Sequence, residues 1–154
     1  MDLGDLLTPD DIYPTMRTSS KRQLLQDLSE RAEIRTGIPA RQIFDTLLQR
    51  ERLGSTGVGS GIAIPHGKLP GLAKITGLFA RLEKPIEFES LDDEPVDIIF
   101  LLLAPEGSGA DHLKALARIA RVMRESTTVE KLRETYESDA IYSLLTDAPA
   151  SNAA

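Results

Sequence analysis

Val96 to Pro105 reads VDIIFLLLAP, with Pro95 directly ahead of it. Seven consecutive residues, Ile98 to Ala104, are apolar. A strand with one face in water alternates apolar and polar residues, so a continuous run marks a strand covered on both faces. Seven residues are also far too few to cross a bilayer. Such a strand needs helices above and below it, and the flanking sequence supplies them. In TSSKRQLLQDLSERAEIRTG, Ser19 or Ser20 caps a helix, Leu24, Leu25, Leu28 and Ala32 form its apolar stripe, and Gly37 ends it. Pro39 suits the first turn of a second helix, which carries Ile43, Phe44, Leu47 and Leu48 and stops before Gly54. Ile75 to Leu82 reads as a further strand that Pro85 breaks. After Pro105 the sequence predicts a helix from about Ala110 to Arg124, with Ser108 and Asp111 at capping-box spacing and a stripe of Leu116, Ile119, Ala120 and Met123. TTVEKLRETY and DAIYSLL predict two more short helices, capped by Thr127 or Thr128 and by Ser138. The expected fold class is α/β: a three-layer α/β/α domain with a small mixed sheet flanked by helices.

A length of 154 residues suits one domain, spanning 1–146, followed by a small-sided tail, 147–154, expected to be disordered. The absence of cysteine removes disulfides, thiol nucleophiles and cysteine-based zinc sites. A net charge of −6 without tryptophan argues against nucleic acid as a partner. No basic amphipathic stretch suggests membrane insertion. The opening MDLGDLLTPDD is acidic where a signal peptide needs positive charge, so a soluble, cytoplasmic protein is expected.

Gly54 to Lys68, GSTGVGSGIAIPHGK, holds five of the 11 glycines and one of the two histidines. It is not a Walker A loop: Gly61 to Lys68 has one residue too many between its glycines, and Leu69 follows the lysine. Nor is it a dinucleotide fingerprint, because Gly57, Gly59 and Gly61 run G-x-G-x-G after a helix. What remains is His66, set between Pro65 and Gly67 so that its ring can meet a large partner. Neutral imidazole is a good nucleophile at pH 7, although an idle loop histidine has the same look. His112 lies in the first turn of the helix that follows the central strand, where ligand sites of open α/β sheets gather; a plain surface or capping role is the alternative. Arg50 lies seven residues after Ile43 and three after Leu47, at the rim of a buried stripe, where its fork of donors can reach a phosphoryl group. A cation favoured by the helix dipole is the ordinary explanation. Two histidines without H-E-x-x-H or a clear third ligand make a poor metal site, so no metal is expected.

Together these residues carry a resemblance. RERLGSTGVGSGIAIPHGK, Arg50 to Lys68, closely resembles the active-site segment of the nitrogen-type IIA proteins of the bacterial phosphoenolpyruvate-dependent phosphotransferase system, relatives of the mannitol/fructose-type IIA domains. The likeness runs from the first helix to about Leu145 and includes the spacing to DEPVDIIFLLLAPEGSGADHLKAL. Members often carry G-I-G-N-G where this chain has Gly57-Val58-Gly59-Ser60-Gly61. The resemblance implies that His66 accepts a phosphoryl group from an HPr-like phosphocarrier. Arg50 and His112 would then stabilise that group, and Ser55, Thr56, Gly57, Gly59, Gly61 and Gly67 would form a phosphoryl-binding loop. It implies no cofactor. It further implies a phosphorylation-state switch acting on regulatory target proteins in nitrogen, potassium or carbon regulation. A carrier passing the group to a separate IIB sugar-transport component, a phosphorylation-independent binding module and, more remotely, a metal-dependent hydrolase are the competing readings.

Overall fold

The computed structural model describes residues 2–147. Its strands are β1 (Ile12–Met16), β2 (Gly57–Gly59), β3 (Ile62–Ala63), β4 (His66–Leu69), β5 (Thr76–Ile86) and β6 (Val96–Pro105). Its helices are α1 (Lys21–Thr36), α2 (Ala40–Arg52), α3 (Ala110–Met123), α4 (Ser126–Arg133) and α5 (Ser138–Thr146), with short 3-10 turns at Leu3–Asp5 and Pro9–Asp11. The six strands form one mixed sheet in the order β1-β5-β6-β3-β2, and β4 also pairs with β6.

The apolar run acts as expected. Every residue from Ile98 to Ala104 is fully buried. Ile98, Phe100 and Leu102 enter one core with α3, α4, α5 and the N-terminal leucines. Ile99, Leu101 and Leu103 enter the other, with α1 and α2. Strand alternation thus deals one continuous hydrophobic run to two cores, giving the three layers. β5 runs antiparallel to β6, whereas β3 and β4 run parallel to it, end to end along its other side.

Helix ends follow the sequence for α1: the Ser20 hydroxyl accepts the Gln23 N–H at 3.1 Å, and Gly37 closes the helix in the left-handed region. Elsewhere the structure departs from expectation. Pro39 stands one position ahead of α2 as its N-cap. Gly109, not Ser108, precedes α3, and the buried Ser108 hydroxyl has no hydrogen-bond partner among the described residues. Glu125 and Glu137 precede α4 and α5; Thr128 is buried inside α4, and Ser138 Oγ donates to the Ile12 carbonyl at 3.2 Å. Pro85 does not end its strand. β5 continues to Ile86 through a register irregularity between Arg81 and Ile86, where a missing N–H costs no regular ladder bond. β1, with Pro14 inside it, has no clear pattern in sequence and lies at the edge of the sheet beside β5. The expected tail falls on 148–154, outside the described residues, apart from Asp147 at the end of α5.

Candidate functional site

β4 forms the floor of the site. Alternation along it turns Gly67 toward α2 and His66 toward the face that carries α3. A Cβ on Gly67 would lie 2.7 Å from Thr46 Cγ2, so the absent side chain lets α2 press against the strand. That approach brings the last turn of α2, with Arg50, around the sheet edge to the imidazole. Arg50 Nε–H donates to His66 Nε2 at 3.3 Å, and Arg50 Nη1 donates to the Gly54 carbonyl at 2.9 Å. The other ring nitrogen, Nδ1, lies 2.9 Å from the Ile64 carbonyl. A carbonyl only accepts, so the proton resides on Nδ1 and the lone pair on Nε2.

His112 completes the pair expected from sequence. Its ring centroid is 5.7 Å from that of His66, with the planes tilted by 49°. Only 6% of the residue is exposed, and its Nδ1 is buried without a hydrogen-bond partner among the described residues. An orphaned buried N–H is rarer than an orphaned acceptor, which favours the tautomer with the proton on Nε2. Thr46, Gln49, Arg50, Leu53, His66, Gly67, Lys68 and His112 line an open cleft of about 480 Å³.

Both histidines are held below the ordinary imidazole range. For His66, burial lowers the pKa most; the Ile64 carbonyl opposes this, Arg50 lowers it further and Glu51 pulls it up. For His112, burial again leads, followed by the neighbouring His66 and Lys68. Neutral imidazoles beside Arg50 and Lys68 form a nucleophile-and-donor set suited to an anionic electrophile.

The expected loop divides. Gly67 is part of the site. Ser55, Thr56, Gly57, Gly59 and Gly61 are not among the cleft residues, and their neighbours are other parts of the chain. Ser55 Oγ donates to the Phe88 carbonyl at 3.0 Å and accepts the Gly57 N–H at 3.0 Å. Thr56 N–H donates to Glu51 Oε1 at 3.0 Å. Gly57 packs on Ser90, Gly59 faces Asp92, and Gly61, at φ +79°, lies against Arg133 and Asp97. These glycines build the β2–β3 hairpin and pack it.

Two further residues bear on the site. Lys68 is exposed and lines the cleft. Glu51 escaped notice, although Ile43, Leu47 and Glu51 are spaced by four on one helix face, which is the signal of a carboxylate on an apolar stripe. Among the described residues no cluster of three His, Cys, Asp or Glu side chains is arranged to hold a metal ion, and no helix is long and apolar enough to cross a membrane.

Residues 5–148 match the phosphoenolpyruvate-dependent sugar phosphotransferase system EIIA 2 family. The chain belongs to that family. Its members exchange phosphoryl groups with partner proteins of the system. A nitrogen regulatory protein from Bradyrhizobium diazoefficiens is 57% identical over 153 residues, covering 99% of this chain and 100% of that one. The nitrogen regulatory protein of Escherichia coli K12 is 35% identical over 148 residues, covering 96% and 91%. Among solved structures, the nitrogen regulatory protein IIA-Ntr of Neisseria meningitidis superposes with a TM-score of 0.89 at 33% identity, over 94% of this chain and 99% of that one. The family fold and the three-layer architecture agree.

Proposed function

We propose that His66 Nε2 accepts a phosphoryl group from a phosphohistidine on an HPr-like carrier, and that the phosphorylation state of this chain then acts as a switch on regulatory target proteins. One observation carries the reading. The Ile64 carbonyl holds the proton on Nδ1, leaving the Nε2 lone pair in an open cleft beside Arg50.

The step is an in-line exchange. The Nε2 lone pair forms the new N–P bond while the N–P bond of the donor breaks, and the donor imidazole leaves with the electron pair. No proton need move on His66, because Nδ1 keeps its hydrogen. Positioning and charge stabilisation make up most of the catalysis in such a transfer. Arg50 Nε must slide from the lone pair to a phosphoryl oxygen, where its fork of donors binds charge. His112 Nε2–H supplies a second donor, and Lys68 adds positive charge. In this reading the hairpin glycines, packed against Ser90, Asp92, Arg133 and Asp97, serve to hold the fold. Similarity to nitrogen regulatory proteins favours a regulatory switch over a dedicated sugar relay.

The test is intact mass after incubation with a phosphoenolpyruvate-charged HPr-like protein. Wild type should gain one phosphoryl group, stable in base and labile in acid, and His66→Ala should gain none. Equal incorporation in both would remove His66 from the role.

A further inference from the structure

Glu51 lies on the buried stripe of α2 and is only 8% exposed. A carboxylate there is tolerated when it is paired and hydrogen-bonded. Lys21 Nζ lies 3.0 Å from Oε1, the same oxygen accepts the Thr56 N–H at 3.0 Å, and the Thr56 hydroxyl donates to Oε2. Lys21 is held in turn by Glu89 at 3.3 Å and stands 4.6 Å above the Phe88 ring. The path continues beyond Thr56. Its carbonyl accepts the Ile64 N–H at 2.9 Å, and the Ile64 carbonyl faces His66 Nδ1 at 2.9 Å. Lys21, Glu51, Thr56, Ile64 and His66 thus form one connected chain of polar contacts. At its other end Glu51 is the peptide neighbour of Arg50, whose guanidinium touches Nε2.

We infer that Glu51, braced by Lys21, is a positioning residue for His66: through Thr56 and Ile64 it fixes which ring nitrogen holds the proton, and through Arg50 it fixes what meets the other. The inference rests on His66 being the phosphoryl acceptor. The physical reason is that the tautomer of a neutral imidazole follows the hydrogen bond made by its second nitrogen. If the Ile64 carbonyl drifts, the proton distributes between Nδ1 and Nε2, and every molecule protonated on Nε2 is unreactive there. The negative charge also tends to raise the pKa of His66, against burial and Arg50.

The experiment reads the ring directly, in unphosphorylated protein. Nitrogen-15 chemical shifts of the His66 ring report tautomer and pKa, and initial rates of phosphoryl incorporation follow on the same samples. Wild type should show the Nδ1–H form. Glu51→Gln keeps the volume and removes the charge. It should give a mixed tautomer, a lower His66 pKa and an incorporation rate about tenfold slower, still ending at one phosphoryl group per chain. Thr56→Val should disturb the tautomer in the same way, whereas Thr56→Ser, which keeps the hydroxyl, should restore it. If Glu51→Gln fails to fold, the Thr56 pair decides the matter. A wild-type tautomer and rate in folded Glu51→Gln, or in Thr56→Val, would overturn the inference. Absence of incorporation in wild type would remove the function reading instead, leaving the tautomer result standing on its own.

Discussion

The stretch from Gly54 to Lys68 folds as two regions that use glycine for opposite ends. In the β2–β3 hairpin, Gly57, Gly59 and Gly61 are packed against Ser90, Asp92, Arg133 and Asp97, and the hairpin is pinned by Arg133 Nη2 donating to the Ser60 carbonyl at 2.6 Å. A few residues on, Gly67 is bare so that α2 can approach β4 and deliver Arg50 to His66. The first region stabilises; the second positions. Glycine content alone therefore does not mark a segment as a phosphate cradle. What each glycine touches decides its use.

Substitutions test whether the two regions divide the work in this way. Arg50→Ala should give the largest effect, slowing phosphoryl incorporation about a hundredfold through loss of a preorganised donor, with little change in melting temperature. Gly67→Ala comes next. Displacing Thr46 should move Arg50 away from the ring and cost about tenfold in rate, while the hairpin stays intact by amide exchange. Gly61→Ala should do the reverse. A side chain at φ +79° crowding Arg133 should cost about 2 kcal/mol and lower the melting temperature by about 4–8 °C, with the incorporation rate unchanged. A rate defect in Gly61→Ala equal to that of Gly67→Ala would erase the distinction. The smallest effect concerns pH. Burial holds both imidazoles below the ordinary value of about 6.5, so the unfolded chain binds more protons just beneath it. Stability should rise with pH across that window and be lost as pH falls through about 6.5 toward the lowered folded values. Thermal unfolding at pH 7.5 and pH 5.5, with His112→Gln for comparison, checks the sign; His112→Gln should show a shallower dependence.

The layers were legible because β6 is buried on both sides and says so in seven unbroken apolar residues. α1 was legible because Ser20 and Gly37 mark its two ends chemically. β1 was not: five residues with a proline, at an edge, leave no periodicity to read. Nor were β2 and β3, whose three and two residues are shorter than any repeat that sequence can show. At the site, His66, Arg50 and His112 stood out by residue type and place, and the structure brings those three together. The polar support behind them is tertiary. Thr56 meets Glu51 only because the chain turns back after α2, and Lys21 arrives from another helix.

One feature of the ladder sets a limit on how such a chain can change. The pairing of Ile62 with Ile98, of His66 with Leu102 and of Leu69 with Pro105 keeps a constant offset, so β3, Ile64, Pro65 and β4 run along β6 without a gap. The segment works as a ruler. One inserted or deleted residue between Ile62 and His66 would leave its composition almost unchanged and turn the imidazole to the other side of the sheet, toward α2. A substitution here alters one contact of the ruler, whereas a change of length shifts every mark beyond it.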